Sequence, residues 1–424
     1  MGASRRVGQV RRLVCRAIDV MKAYVRSNHK RLLILSGRYS EDGQDRWLLQ
    51  ELAEELCRRG HEIDLLILDP TGQIRGGQLE TCDSRLRAYQ VQGFERSLLP
   101  RYGTAKYLPQ ALRIHLDPRV RGFFSDRYDA CLFTTPGVVS AGIAARLKRS
   151  GQCDSTMMIM WDFFPVTNTE VGAIRGGRVG DALFKLEQMV VRSADDLVLM
   201  TPRGERFLDS YYTEVPGRRT IIPPWGRDET WDHSTIVKRE RFTVVWGGQI
   251  VKGRALDDLI HVAGSESVMS ADIAFVIAGD GPDRPFYENL VESLALPNVH
   301  FLGQVPRQSY ARLLRECHVG VTALRDLSTP SFPSKTVDYC RAGLPILAAV
   351  ESGTDYGEII EAAGAGVSVP SGDRDALTHA LVAMAEPAQK AVYQSMTLAS
   401  RRFFERHLDV RVAATQFEAM LSST

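Results

Sequence analysis

Two short stretches of the chain carry the residue types needed to hold a phosphorylated ligand. Gly247-Gly248-Gln249 follows an apolar run and precedes Lys252 and Arg254. Adjacent glycines let backbone approach a phosphate, the free N–H groups of a helix start point at it, and two cations offset a diphosphate charge. Standing alone, the same residues read as a tight turn with solvated cations. The second stretch, Ser331-Phe332-Pro333-Ser334-Lys335-Thr336-Val337-Asp338-Tyr339, places Lys335 and Asp338 three apart on a first helical turn, where both can face one cleft. The cation suits a phosphate, and the carboxylate can accept the hydrogens of two vicinal hydroxyls. In isolation the two read equally as a surface ion pair. Gly279-Asp280-Gly281-Pro282 has neither the third glycine nor the downstream acid of a dinucleotide fingerprint and reads as a turn.

The elements that position these stretches alternate between strand and helix. Residues 31–36 (RLLILS) form an apolar run ended by Gly37; a helix from about Gln44 carries Trp47, Leu48, Leu52, Ala53 and Leu56 on one face, and 62–68 (EIDLLIL) is a second strand. Further strands are predicted at 130–134, 157–160 and 196–200. Residues 72–127 have weak periodicity and place no element. Pro223-Pro224 and the polar cluster after them mark a domain boundary. The alternation then restarts, with strands at 242–246, 273–278, 300–302, 319–322, 344–350 and 366–369. Helices are predicted at 254–262, 286–294, 310–315 and 376–385. The pattern is α/β, with two doubly wound parallel sheets that bind ligands at the carboxyl ends of their strands. The divisions are a basic amphipathic helix (1–27), an N-terminal domain (28–222), a linker (223–240), a C-terminal domain (241–400) and a terminal helix (401–424) whose Phe403, Phe404, Val412, Phe417 and Met420 can pack across both domains.

Composition narrows the class. The chain has 424 residues, 44% of them hydrophobic and 8% aromatic, with 53 basic and 51 acidic side chains, which excludes disordered and fibrous classes and favours two domains. Seven cysteines without a CxxC indicate neither a disulfide framework nor a zinc site. No apolar run reaches the ~18 residues of a spanning helix, and no signal core stands at the N-terminus. Charge is divided unevenly: residues 1–227 carry 35 basic and 26 acidic side chains, against 18 and 25 in 228–424. Residues 1–31 alone hold nine Lys/Arg and one acid, with apolar residues at helical spacing. This segment reads either as a helix lying on an anionic membrane surface or as a solvated helix packed on its own domain. Nucleic acid is not an expected partner, because the basic stretch carries one aromatic, Tyr24, and no binding module follows.

The ordered blocks VVWGGQIVKGRALDDLI, AFVIAGDGPD, NVHFLGQVP, CHVGVTAL, FPSKTVDYCRAGLPILA and GAGVSVPSGDRDAL resemble the donor-binding domain of retaining glycosyltransferases of the GT-B fold, family 4, in the branch that builds bacterial surface polysaccharides. LLILSGRYS, WDFFP, SADDLVLMTPRGERFL and IIPPW resemble the acceptor domain more loosely. The resemblance implies GT-B architecture, two Rossmann-like domains facing a cleft. It implies that Asp338 holds the donor ribose, in the place of the second Glu of the family's paired motif. Ser334 and Lys335 match the turn beside that acid, and Arg254 the cation opening the diphosphate helix. Gln249 stands where many members carry Arg, with Lys252 supplying the charge. Leu302 and Gly303 match the loop that reads the nucleobase through its backbone, Gly37 the loop touching the diphosphate, and Trp161-Asp162 the family's His-Asp segment near the reacting sugar. The family's first Glu would fall at Pro330, and no carboxylate replaces it.

These implications give a concrete expectation. A sugar moves from a nucleoside-diphosphate donor of UDP or GDP type to a glycan acceptor, expected to be lipid-linked, with hexosyl transfer and retention implied by the resemblance. Charge building on the departing diphosphate would be stabilised by Arg254, Lys252, Lys335 and backbone amides, with no metal and no cofactor. Asp162 is the expected group positioning or deprotonating the acceptor hydroxyl, or else a carboxylate that fixes a strand-end loop. The expected location is the cytoplasmic face of the cell membrane, held peripherally by the basic first half. Two alternatives stand beside this: a degenerate binding or scaffold protein, kept open by Pro330 and Gln249, and another GT-B enzyme such as a nucleotide-sugar epimerase or a phosphorylase.

Overall fold

The computed structural model describes residues 29–41, 43, 46–69, 76–91, 118–135, 137–170, 172, 174, 176–215, 217–228, 237–251, 255–323 and 327–422. The basic N-terminal helix, Lys252 and Arg254 lie outside these residues. In the first half, β1 (Arg31–Ser36), β2 (Glu62–Ile67), β3 (Gly77–Leu79), β4 (Leu86–Gln90), β5 (Tyr128–Thr134), β6 (Cys153–Ile159), β7 (Asp196–Leu199) and β8 (Arg218–Ile221) form one sheet in the order 3-4-2-1-5-6-7-8. Only the β3–β4 contact is antiparallel. In the second half, β9 (Thr243–Gly247), β10 (Ala274–Ala278), β11 (Val299–Gly303), β12 (Val319–Ala323), β13 (Ile346–Val350) and β14 (Gly366–Pro370) form a wholly parallel sheet in the order 11-10-9-12-13-14. Both domains are therefore doubly wound α/β units.

The central strands are near-continuous apolar runs because helices cover both faces of each sheet. β1 buries every residue but its first. In the N-terminal domain one face packs against the helices Val138–Arg149, Arg178–Arg192 and Pro202–Tyr211. The other packs against Leu48–Arg58 and the chain's last helix, Val410–Ser422. Leu256–Ala263 and Arg374–Ala385 cover one face of the second sheet, and Arg307–Glu316, Lys335–Arg341 and Tyr356–Ala362 the other.

Four sequence-based placements change. The helix drawn from residue 254 begins at Leu256, after Ala255 in the left-handed region at φ 47°. The helix drawn from about Gln44 begins at Leu48. The unplaced segment 72–127 contains β3, β4 and the short helix Pro118–Phe123. The single terminal helix drawn over 401–424 is two elements: Lys390–Phe403 continues as a π-helical turn, Phe404–Leu408, and Val410–Ser422 starts anew. Extended Asp409, at ψ 134°, separates them, and its carboxylate accepts the Arg411 N–H at 2.8 Å. That break lets Phe404 and Leu408 lie in the C-terminal core while Phe417 and Leu421 lie in the N-terminal one. The chain thus crosses between domains twice, and the crossings are paired: Gly226 N–H donates to Leu408 C=O, and Val410 N–H donates to Gly226 C=O.

Candidate functional site

Each sheet begins at its middle and reverses direction once, between β1 and β5 in the first and between β9 and β12 in the second. Ligands of open α/β sheets bind at the carboxyl ends of strands at such a switch point. Gly37 follows β1 and is exposed; Gly248 and Gln249 follow β9 and are exposed. The loop after β6 meets the loop after β12 across the domain boundary. Thr167 Oγ1 donates to Thr329 Oγ1 at 3.1 Å, and Ser328 N–H donates to the Glu170 carboxylate at 3.2 Å. Arg203 N–H donates to the Asp355 carboxylate at 2.7 Å, tying the domains at a further point.

The Gly248 loop is held by its neighbours. Gly248 N–H donates to Ala278 C=O at 3.0 Å, Ile250 N–H to Asp280 C=O at 2.9 Å, and Gly279 N–H to Gly303 C=O at 2.8 Å. Gly279, at φ 144°, brings its Cα so near Gly248 that a Cβ there would stand 1.8 Å from the Gly248 carbonyl oxygen. The Gly-Asp-Gly stretch is therefore more than a turn: it carries the Gly248 loop. Below it, Gly247 N–H donates to the Tyr339 hydroxyl at 3.1 Å, and a Cβ on Gly247 would stand 1.9 Å from the Tyr310 hydroxyl. Burial holds both phenols well above their usual pKa, so they stay protonated as donors.

Lys335 and Gly248 are brought together. The Lys335 ammonium lies 4.0 Å from the Trp246 ring centroid, a cation–π contact, and the same atom is 4.0 Å from where a Gly248 Cβ would stand. Asp338 lies one turn further, half-buried, and accepts from Arg341 Nη2. Arg341 Nη1 donates to Arg227 C=O in the inter-domain linker at 2.9 Å. The expected pairing of Lys335 with Asp338 thus becomes two separate partnerships, with Trp246 and with Arg341. Ser334 is exposed at the head of the helix and its side chain makes no cap hydrogen bond. A register shift at the end of the β10–β11 ladder skips Leu302, whose side chain is exposed, and leaves Gly303 at φ 70°. Bulges of this kind re-aim a strand end.

In the N-terminal domain Asp162 is exposed after β6; its N–H and that of Trp161 donate to Thr135 Oγ1 at 3.3 and 3.1 Å. The Trp161 ring packs on Trp225 at 5.3 Å. Pro330 is buried, and the loop it belongs to is fastened by Ser331, whose hydroxyl donates to Glu351 and whose carbonyl accepts from Thr354 Oγ1 at 2.7 Å. Among the described residues no three His, Cys, Asp or Glu side chains gather as metal ligands, and no helix is long and apolar enough to cross a membrane. The six described cysteines are free thiols.

Reasoning from sequence missed Trp246, Tyr339 and Arg341. Trp246 directly precedes the glycine pair, and Arg341 stands three residues after Asp338, a helical ion-pair spacing. Tyr339 carries no comparable signal, because its partners come from other strands.

Two sheets of this topology, apposed through the loops at their strand ends, define the GT-B fold. Residues 241–386, most of the C-terminal domain, match the family model described as glycosyl transferases group 1. Among solved structures, the chain is similar to sucrose-phosphate synthase from Thermosynechococcus elongatus, with a TM-score of 0.73 at 14% identity over 93% of this chain and 99% of that one. It is also similar to HepE of Anabaena in complex with UDP and glucose, with a TM-score of 0.62 at 13% identity over 93% of this chain and all (100%) of that one. By sequence, 91 residues, 21% of the chain, are 32% identical to chitobiosyldiphosphodolichol beta-mannosyltransferase of Dictyostelium discoideum; the match spans 18% of that relative's length.

Proposed function

We propose that the chain transfers a sugar from a nucleoside-diphosphate donor to a glycan acceptor. The observation that carries this reading is the seating of Lys335 against Trp246 beside exposed Gly248, at the switch point of the C-terminal sheet, with Asp338 one turn away. Lys335 opposes charge developing on the departing diphosphate, and the exposed backbone at Gly248 gives phosphate oxygens close approach. Lys252 and Arg254 supply further positive charge. Asp338 accepts from the ribose hydroxyls, exchanging Arg341 for them in part, and Leu302 and Gly303 present backbone to the base. Gly37 meets the diphosphate from the opposite domain, and Asp162 orients the acceptor hydroxyl. This set needs no metal. The UDP bound by HepE makes UDP the first nucleotide to try, with GDP next. The finer features are retention, hexosyl transfer, family 4 membership and a lipid-linked acceptor at the cytoplasmic membrane face.

The test is thermal unfolding with UDP, GDP, ADP, TDP and CDP and their sugar conjugates. A ligand at 100 times its dissociation constant stabilises the folded chain by about 2.7 kcal/mol. One nucleotide should raise Tm, and Asp338→Ala should weaken its binding about tenfold or more, the worth of charge-assisted hydrogen bonds. A shift unchanged in the variant removes Asp338 from the site. No shift with any nucleotide favours a degenerate scaffold, the reading that buried Pro330 supports.

A further inference from the structure

Arg341 is buried at the end of the Lys335–Arg341 helix, where a guanidinium is tolerated only if its N–H groups are paired. Its two terminal nitrogens go to different parts of the molecule. Nη2 donates to the Asp338 carboxylate one turn back, and Nη1 donates to Arg227 C=O in the linker at 2.9 Å. That stretch of linker is gripped from both domains. Arg227 N–H donates to Glu51 at 3.0 Å and the Arg227 guanidinium to Glu54 at 2.9 Å, both acids standing on the Leu48–Arg58 helix. From the other domain Arg401 pairs with Asp228 at 2.7 Å and donates through Nη1 to Arg341 C=O at 2.9 Å. A Cβ on Gly226 would stand 2.6 Å from Val337 Cγ1, so the linker lies directly against the helix that carries Asp338.

From this arrangement we infer that Arg341 is the positioning residue of Asp338, fixing the carboxylate by tying it to the inter-domain linker. The inference rests on the reading of Asp338 as acceptor of the donor's ribose hydroxyls. Two vicinal hydroxyls require one carboxylate orientation, and the Asp338 side chain is 34% exposed, so burial alone does not set it. A helical pair three residues apart on an open surface would hold it loosely. Here the cation cannot swing away with its partner, because its second nitrogen is bound to backbone that both domains hold. An ionised carboxylate accepts at about four positions, so the one taken by Arg341 leaves others for hydroxyls. Lysine does not replace this fork, which presents two N–H donors in a fixed plane. A staple that only fastened helix to linker would use the same bonds, but it would not alter which nucleotide is preferred.

The experiment is calorimetric titration of the full chain with UDP and GDP, each compared with its 2′-deoxy form. The wild-type chain should prefer the ribose form of one base by about tenfold or more, the worth of a hydrogen bond to a charged group. Asp338→Ala should lose that preference. Arg341→Met keeps the apolar stem and removes the fork; it should lower the preference to about twofold or less. If Arg341 acts through Asp338, the double variant binds no more weakly than Asp338→Ala alone. The preference is a ratio within one variant, so lost stability does not imitate the result. Arg341→Lys separates charge from geometry and carries the test should Arg341→Met fail to fold: its preference should fall too, and a preference kept in full would overturn the inference. An unchanged preference in Arg341→Met, or losses that add in the double variant, would overturn it and leave the donor reading standing. Equal binding of ribose and deoxyribose forms by the wild type would remove Asp338 from the 2′-hydroxyl and overturn it as well. Binding of none of the four nucleotides would overturn the donor reading and this inference together.

Discussion

Glu187 shows how one side chain can make stability depend on pH. It is fully buried, both carboxylate oxygens lack a hydrogen-bond partner among the described residues, and burial pushes its pKa up to about 8. Between the ordinary carboxylate range and pH 8 the folded chain holds a proton that the unfolded chain has released. Stability from this group is therefore complete at low pH and is lost as pH rises through that window. Glu187→Gln removes the dependence. Its Tm should exceed wild type at pH 9, by the equivalent of about 1 to 3 kcal/mol, and the difference should shrink by pH 5. An equal difference at both pH values would mean that Glu187 titrates normally. In the candidate site Asp338 pairs with Arg341, and the Lys335 ammonium lies over the Trp246 ring.

At the scale of elements, the site is a stack of three strand-end loops in which backbone carries backbone. β9, β10 and β11 end at neighbouring heights, and hydrogen bonds run from Gly248 to Ala278 and from Gly279 to Gly303. Side chains are excluded where these loops touch. Gly279→Ala places a methyl group against the Gly248 carbonyl in a backbone conformation that L-residues avoid. It should cost about 2 to 4 kcal/mol in denaturant unfolding and weaken nucleotide binding even at temperatures where the variant is folded. Gly142, inside the Val138–Arg149 helix, has open space around its missing side chain and serves as the control: Gly142→Ala should stabilise by about 0.5 to 1 kcal/mol and leave nucleotide binding unchanged. The alternation of elements was legible, because apolar runs of strand length and stripes of helical period are local properties. β8 was not legible: its four residues, Arg-Arg-Thr-Ile, are a half-exposed edge strand with no apolar run.

At the scale of the molecule, the N-terminal domain is completed by the end of the chain. Val410, Ala413, Ala414, Phe417, Met420 and Leu421 share a core with β1, β2 and the Leu48–Arg58 helix. Phe417 is 1% exposed and meets the Trp225 ring edge-on at 5.6 Å. Phe417→Ala should destabilise by about 3 to 5 kcal/mol, read as a fall in Tm of the N-terminal domain by calorimetry. A loss confined to the C-terminal domain would contradict this packing. A buried carboxylate secures the same junction. Glu51 accepts Arg227 N–H at 3.0 Å from the linker and pairs with Arg307 at 3.2 Å from the other domain. Burial outweighs those cations and lifts its pKa to about 7. Arg401 pairs with Asp228 at 2.7 Å beside the second crossing. The linker, the Leu48–Arg58 helix and the Lys335–Arg341 helix are thereby joined through Arg227, whose N–H donates to Glu51 and whose carbonyl accepts from Arg341.

What the sequence determined by itself was local or ordered along the chain: the α/β alternation, the restart after Pro223-Pro224, the glycine pair after β9, and Lys335 and Asp338 on one helical turn. Such features follow from residue period and spacing, which no distant contact needs to define. Tertiary structure alone decided the partners. Trp246 reaches Lys335 across 89 positions, Tyr339 reaches Gly247 across 92, and Arg341 reaches Arg227 across 114. The break at Asp409, invisible in a continuous helical pattern, exists because the residues on either side belong to different cores. Burial in a core of the other domain is set by where the sheets come to rest, and that is a property of the folded chain rather than of any stretch of it.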